Sequence, residues 1–215
     1  MMTKPLIFTE IEFDALRETG NVGAGRAATA LSRLLGRQVH IDVPRASVIS
    51  LEEFPALVGG TENVVAAVYF TVLGEAPGRL VLVVEAQSLG PLLTNLLGHR
   101  VESTTPLSDE SASAMKELGN IVCGNYLNAM SELVGFPLLP SVPALAVDMA
   151  GSVLESVAAD AAQCGSQALL LESRLLDWGQ PLPLYLFYLP EPDALDSLLA
   201  GLARSTGVDL SGGRV

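Results

Sequence analysis

The sequence predicts an α+β fold in which one α-β-β-β-α unit occurs twice, and three observations lead to this expectation. A stretch near the start of the chain recurs 99 residues later. The same order of helix-like and strand-like segments follows each copy. Each copy also has the periodicity of a long helix with one polar and one apolar face. We therefore expect two halves related by a pseudo-two-fold axis, with a shared β-sheet and both long helices on one face of it.

The repeat is clearest between residues 18–36 and 117–135, which lie 117 − 18 = 99 positions apart. Eight of these 19 aligned positions are identical, whereas ordinary residue usage would give about one or two. The identical pairs are Glu18/Glu117, Gly20/Gly119, Asn21/Asn120, Gly25/Gly124, Ala30/Ala129, Ser32/Ser131, Leu34/Leu133 and Gly36/Gly135. The same interval separates Pro44 from Pro143, so the similarity continues beyond the helices.

Each half continues with the same elements after its long helix. A strand-like stretch comes first, then two strands joined by a turn that contains Gly and Pro, and then a shorter helix. In the first half these segments are Val39–Ser50, Asn63–Leu73, Arg79–Val84 and Ala86–Leu97, with the turn at 74–78. In the second half they are Leu138–Met149, Gln167–Leu176, Leu182–Leu189 and Asp193–Ser205, with the turn at 177–181.

The two halves are expected to form one domain. At 215 residues the chain can bury a sizeable core, and the join at 103–106 is a short loop without a Ser/Gly-rich linker. We predict a single domain over 1–215, with the first repeat at about 9–103 and the second at about 107–206. Residues 207–215 are expected to be a frayed tail.

Composition excludes several classes of function. The net charge of −12 makes nucleic acid and anionic membrane surfaces poor partners. No apolar run reaches the length of a transmembrane helix, and the N-terminus lacks the hydrophobic region of a signal peptide, so a cytoplasmic protein without membrane insertion is expected. Two cysteines without a C-x-x-C motif and two isolated histidines predict no metal site.

The glycine-rich run at 20–25 has the spacing of a phosphate-binding loop, G-x-x-x-x-G-K-[ST]. However, Arg26 and Ala27 stand where that motif needs Lys and Ser or Thr, and no buried strand precedes the run. The run is therefore predicted to be part of the first long helix.

One face of each long helix carries the same polar stripe. At about 100° per residue, positions i, i+4, i+7 and i+11 lie close together on a helix. These positions are Asp14, Glu18, Asn21 and Gly25 in the first helix, and Ser113, Glu117, Asn120 and Gly124 in the second. The opposite faces are predicted to be core and carry Leu16, Ala27, Leu31 and Leu34, and Met115, Val122, Tyr126, Met130 and Leu133.

The stripe could do only limited chemistry. An exposed polar face is ordinarily just solvated, but the recurrence of Glu and Asn at matched positions favours a binding role. No nucleophile–base pair is present, because neither histidine nor cysteine lies on the stripe. A carboxylate can pair with a partner's ammonium group, and a carboxamide can orient water for in-line attack on a phosphoryl group. Glycine costs a helix about 1 kcal/mol relative to alanine, so Gly25 and Gly124 indicate a close approach by a partner.

The repeated pattern resembles the CheC/CheX/FliY family of chemotaxis phosphatases. Its signature, Asp/Ser-x-x-x-Glu-x-x-Asn at the head of a long helix, is matched from Asp14 to Asn21 and from Ser113 to Asn120. The run N-V-G-A-G-R-A-A-T-A-L-S at 21–32 is similar to the first-helix signature of CheC in particular. The duplicated order of elements extends the resemblance over nearly the whole chain.

This resemblance implies an enzyme that dephosphorylates the response regulator CheY at its aspartyl phosphate. In the family the Glu, here Glu18 and Glu117, contacts a lysine of the regulator. The Asn, here Asn21 and Asn120, enters its active site and places the attacking water, with a supporting part for Asp14 and Ser113. Magnesium belongs to the regulator, so no cofactor of this chain is implied. The family also associates with the receptor deamidase CheD, which makes CheD a candidate second partner.

Two other functions stay open on the sequence. A non-catalytic module could bind CheY or pack into a flagellar switch, although such proteins are expected to carry an extra N-terminal peptide or C-terminal domain. Only about ten residues precede the first helix here, which favours the phosphatase. A small-molecule phosphatase would need metal ligands or a basic phosphate clamp, and the sequence offers neither.

Overall fold

The structure is a computed structural model, and it describes residues 8–101, 106–160, 167–176 and 181–206. The helices are α1 (Glu10–Leu35), α2 (Phe54–Leu57, after a 3-10 turn at Leu51–Glu53), α3 (Ala86–Leu97), α4 (Asp109–Val134), α5 (Ala150–Asp160) and α6 (Pro192–Thr206). The strands are β1 (His40–Ser50), β2 (Val64–Gly74), β3 (Gly78–Glu85), β4 (Leu138–Pro140), β5 (Ala144–Met149), β6 (Gln167–Leu176) and β7 (Leu182–Pro190). The predicted α+β class is confirmed.

All seven strands form one antiparallel sheet in the order β1-β6-β7-β3-β2, with β4 and β5 both pairing with β2. The centre is the pair β3–β7, which joins the two halves. The first strand position of each half pairs with a strand of the other half: β1 pairs with β6, and β4 and β5, which share this position in the second half, pair with β2. Exchanging the halves reverses the strand order and leaves it otherwise unchanged, as the predicted pseudo-two-fold axis requires.

The two faces of the sheet are covered by different helices. Residues alternate between the faces along each strand. On β2, Val68 and Phe70 belong to the core beneath α1, α3, α4 and α6, whereas Val65 and Ala67 face a smaller core beneath α2 and α5. Both long helices therefore pack on one face of the sheet, as predicted.

Both long helices begin and end with recognisable caps. Thr9 and Glu12 form a reciprocal capping box at the start of α1, and the Ser108 hydroxyl accepts a hydrogen bond from the Ser111 N–H at the start of α4. Gly36 and Gly135 end the helices in the left-handed conformation, with φ of 64° and 81°. The glycine-rich run at 20–25 lies inside α1, so it is a helix and not a phosphate-binding loop.

The structure corrects three details of the prediction. A helix lies between the first two predicted strands of each half, α2 in the first half and α5 in the second, where the predicted α-β-β-β-α order has none. The strand predicted over 138–149 is two strands, because Pro140 and Pro143 lack N–H groups and Ser141 bonds to Thr71 instead. Leu34, predicted as core, is 58% exposed. The turn at 177–180 and the tail at 207–215 lie outside the described residues.

No helix in the described ranges is both long enough and apolar enough to cross a bilayer.

Candidate functional site

The polar stripes of α1 and α4 are on the solvent side of their helices. All six polar side chains of the two stripes are exposed: Asp14, Glu18, Asn21, Ser113, Glu117 and Asn120. On the opposite side of α1, Leu16, Ala27 and Leu31 are fully buried. The amphipathic spacing therefore predicted the buried and exposed faces of both helices correctly, and Leu34 is the exception on α1.

Glycines bring the two helices close to the sheet and to each other. A Cβ on Gly20 would lie 3.3 Å from Val43 Cγ1, and one on Gly119 would lie 2.7 Å from Val68 Cγ1. Between the helices, a Cβ on Gly23 would lie 3.0 Å from the Cα of Tyr126. Contacts under 3.4 Å leave little room for a side chain, so these three glycines serve internal packing.

Gly25 and Gly124 have a different environment. Apart from its chain neighbours and the nearby backbone of its own helix, a Cβ at either position would meet no atom of the described residues within 4 Å. Internal packing therefore gives no reason for glycine at these two places, although each costs its helix about 1 kcal/mol. Their effect is to leave open space one turn beyond the stripe asparagines, on the surface a partner could reach.

The two stripes stand over different parts of the sheet. Gly20 packs on Val43 of β1 and Leu171 of β6, whereas Gly119 packs on Val68 and Phe70 of β2. From β1 to β2 there are four strand-to-strand steps, or about 19 Å at about 4.8 Å each. The chain therefore presents two separate copies of the motif.

An ion pair connects the motif helices across their surface. Both terminal guanidinium nitrogens of Arg26 donate to the two carboxylate oxygens of Glu132, at 2.7 and 2.8 Å. The hydrogen bonds from Arg26 hold the pKa of Glu132 below its usual value, and the attraction of the guanidinium charge adds to this. Both side chains are exposed.

The two copies differ in the contacts of their polar groups. In the first, the Asp14 carboxylate pairs with Arg17 at 3.1 Å, and Asn21 Oδ1 accepts the Val43 N–H at 3.3 Å. In the second, Ser113 replaces the acid, and Asn120 has no hydrogen-bond partner among the described residues. Within the same ranges the carboxylates of both Glu18 and Glu117 are also unpaired. The glutamates are thus equivalent, and the asparagines are not.

Sequence reasoning missed the Val43 main-chain amide. A signal was available, because Pro44 interrupts a predicted strand and proline within a strand marks an edge or a bulge. The register of β1 with β6 does shift between Asp42 and Arg45.

The other side chains that could take part in chemistry are a cysteine and the two histidines. Cys123 is fully buried, and burial raises the pKa of its thiol. His40 lies 3.1 Å from Gln38, and His99 lies 3.6 Å from Glu110 at the surface. Among the described residues, no three His, Cys, Asp or Glu side chains group as metal ligands would.

Comparison with solved structures defines the class of fold. Thermotoga maritima FliY superimposes with a TM-score of 0.74 at 21% identity, covering 93% of this chain and all of that one. H. pylori FliM, in its complex with SpeE, gives a TM-score of 0.69 at 14% identity over 95% of this chain and all of that one. The chain therefore has the fold of FliY and FliM.

Sequence comparison identifies the family. The CheC-like family matches residues 11–48 and 110–147, two segments separated by 110 − 11 = 99 positions, the interval of the internal repeat. The Bacillus subtilis (strain 168) protein named CheY-P phosphatase CheC is 32% identical over 200 residues, which cover 91% of this chain and 96% of that protein. The chain belongs to the CheC-like family.

Proposed function

We propose that this chain is a phosphatase of phosphorylated CheY and hydrolyses the aspartyl phosphate of that response regulator. The observation that carries the proposal is the pair of exposed Glu-x-x-Asn motifs on two packed helices. It agrees with the name of the B. subtilis relative, to which the similarity is nearly full-length. The proposal keeps the cytoplasmic location expected from the sequence.

Glu18 and Glu117 are the proposed anchors. Each carboxylate is exposed, and neither is paired with another described residue, so an incoming ammonium group would displace only water. A lysine of the regulator is a suitable partner, because charge-assisted hydrogen bonds are stronger than neutral ones. The net charge of −12 also favours approach of a cationic surface.

Asn21 and Asn120 are the proposed positioning groups for water. In the reaction a water oxygen attacks phosphorus, the bond from phosphorus to the aspartyl oxygen breaks, and the products are free aspartate and inorganic phosphate. A carboxamide can accept one hydrogen bond from that water without bringing a second anion to the phosphoryl group. Carboxylates there would be repelled, which is a reason for Asn at both places.

The surroundings of each asparagine fit docking of a protein. The open space at Gly25 and Gly124 lets another main chain approach the helix closely. Asp14 and Ser113 stand at the head of each stripe, where we expect supporting contacts. We further propose that the Mg²⁺ of the reaction is held by the regulator, and that CheD is a second partner.

A non-catalytic binding module is the second candidate, and one contact favours it. Asn21 accepts the N–H of the buried Val43, so it has a structural task that needs no reaction. FliM and FliY share the fold at low identity. If binding alone were the function, both asparagines could be lost without any effect on phosphate release.

The test measures phosphate release from phosphorylated CheY with wild type, Asn21→Ala, Asn120→Ala and the double variant. We expect the double variant to fall to the rate of CheY alone, with its fold intact by circular dichroism. A folded double variant that hydrolyses at the wild-type rate would end the phosphatase proposal.

A further inference from the structure

The first motif is tied to an irregularity in the edge strand beside it. Residues 43 and 44 of β1 fall in the register shift and have no partner residue in β6. Val43 therefore lies outside the regular pairing of β1 with β6. Its N–H donates to Asn21 Oδ1 at 3.3 Å, and Val43 is only 3% exposed. Asn21 thus accepts a hydrogen bond from a buried main-chain donor at the register shift.

The close approach of the helix makes this contact possible. Gly20 precedes Asn21, and a Cβ at Gly20 would already lie 3.3 Å from Val43 Cγ1. With glycine there, α1 lies near enough to β1 for a short carboxamide to reach the main chain. The oxygen of that carboxamide consequently points to the strand.

The second motif lacks this arrangement, although the sequence around it is a copy. The residue at the matching position is Val142 (43 + 99 = 142), which lies between β4 and β5 and is 86% exposed. Its neighbour Ser141 bonds to Thr71 of β2 through both its N–H and its hydroxyl oxygen. Within the described residues, neither the Val142 N–H nor the Asn120 side chain has a hydrogen-bond partner.

The difference changes what each asparagine must do to reach a substrate. Asn120 can turn its oxygen outward without breaking a bond to the protein. Asn21 must first release the Val43 N–H, and a buried donor left without a partner is costly. Even the smallest usual cost of an unpaired buried donor makes the outward orientation of the Asn21 carboxamide about fivefold less populated than the orientation bonded to Val43.

We propose that the Val43 main-chain amide is a latch that holds Asn21 in a resting orientation, so that the Asn120 site supplies most of the turnover. This inference rests on the proposed phosphatase function and adds that its two sites have unequal turnover. Val43 is a positioning residue in this scheme, because it acts on the substrate only through Asn21.

The latch can be tested without any enzymatic activity. Amide hydrogen exchange at Val43 is measured by NMR in wild type, Asn21→Ala and Asn120→Ala, with the amide of Ala46, which lies opposite Leu171 in the register, as internal reference. We expect Asn21→Ala to accelerate exchange at Val43 about tenfold or more relative to Ala46, and Asn120→Ala to leave it unchanged. Equal exchange at Val43 in all three proteins would overturn the latch, whatever the protein does to CheY.

The inequality is tested by kinetics on phosphorylated CheY. We expect Asn120→Ala, which retains only the latched site, to have a kcat about fivefold below that of Asn21→Ala. Adding Val43→Pro to Asn120→Ala removes the N–H, and proline is tolerated at edge-strand bulges, so kcat should rise severalfold. The matched control is Val142→Pro in Asn21→Ala, which should change nothing.

The outcomes separate the two proposals. Equal kcat values for the two single variants, or a fall in kcat on adding Val43→Pro to a folded Asn120→Ala protein, would mean that the amide aids Asn21 and would overturn the latch. A double Asn variant with wild-type turnover would overturn the phosphatase proposal instead. If Val43→Pro prevents folding, the exchange measurement decides the latch.

Discussion

Arg26 and Glu132 form a two-point ion pair that joins the motif helices of the two repeats, with N···O distances of 2.7 and 2.8 Å. The pair exists in one copy only. The position matching Arg26 is Asn125 (26 + 99), and the position matching Glu132 is Arg33 (132 − 99). Asn125 donates to the carbonyl of Ile121 in its own helix instead. The pseudo-symmetry is therefore broken at the helix interface as well as at the asparagines.

The Arg26–Glu132 pair should give a small stabilisation that disappears in acid. Because the pKa of Glu132 is lower in the folded than in the unfolded protein, its contribution is present above the unfolded pKa and is lost as pH falls through the folded one. Thermal unfolding of wild type and Glu132→Gln from pH 7 to pH 3 should therefore converge at the acidic end.

A suitable control for that comparison is Glu155→Gln, since Glu155 is exposed on α5 and has no ion-pair partner in the described ranges. Exposed pairs are also screened by salt. A difference between wild type and Glu132→Gln that persists at pH 3 would mean that packing, not charge, is responsible.

The two asparagines should differ in their effect on stability. Helix propensity alone predicts that Asn→Ala is neutral or slightly stabilising at both positions. The Val43 contact changes this for Asn21, because its loss leaves a buried N–H unpaired at a cost of about 1–3 kcal/mol. We expect chemical denaturation to show Asn21→Ala destabilised by about 1 kcal/mol and Asn120→Ala unchanged or slightly more stable. The reverse order would be inconsistent with the structure.

Replacing both anchors should mainly weaken capture of the regulator. In Glu18→Gln/Glu117→Gln the pairing with a lysine is lost, and breaking a partly desolvated interfacial pair costs about 2–5 kcal/mol. We therefore expect kcat/KM to fall about 30-fold or more at low CheY concentration, with little change at saturation. Glu52→Gln, on the opposite face of the sheet, serves as control. Activity that is unchanged, or insensitive to salt in the wild type, would contradict the anchor role.

The glycines of α4 should respond to alanine in opposite ways. At Gly119 a Cβ would lie 2.7 Å from Val68 Cγ1, and overpacking of this kind costs about 1–3 kcal/mol. At Gly124 the space is open, so alanine should stabilise the helix by about 1 kcal/mol. In the Asn21→Ala background, Gly124→Ala should nonetheless lower kcat/KM because it crowds the docking surface. Full activity of Asn21→Ala/Gly124→Ala would contradict the proposal that Gly124 allows a partner to approach closely.

Cys123 should be chemically inert in the native protein. Burial raises the pKa of its thiol, so the reactive thiolate is scarce at pH 8 and reagents have no access. A Cys164→Ser variant should therefore give no reaction with Ellman's reagent until guanidinium is added, and one thiol per chain thereafter. Rapid reaction of the native protein with the reagent would mean that Cys123 is accessible through an opening between the helices.

Repetition and periodicity predicted most of this fold, and the misses have physical causes. The 99-residue repeat and the polar stripes were sufficient to predict both long helices, since helices of 26 residues carry a strong periodic signal. Helix α2 has four residues and depends on burial of Phe54, which no local pattern reveals. The Val43–Asn21 contact joins a helix to a strand bulge, and its absence at Asn120 depends on a strand break. Identical residues at matched positions of a repeat do not imply that their hydrogen bonds are the same.

The exchange of first strands between the halves has a consequence for synthesis on the ribosome. Arg45 of β1 bonds to Glu172 of β6, 127 residues later. Because synthesis adds about 5–20 residues per second, the strand that pairs with β1 is made roughly 6–25 s after β1 itself. Throughout that interval the nascent first half has a strand with an open inner edge, the kind of edge that attracts foreign strands. The register shift at Val43 and the adjacent Pro44, which has no N–H to donate, interrupt that edge, so we expect them to limit mispairing of the growing chain.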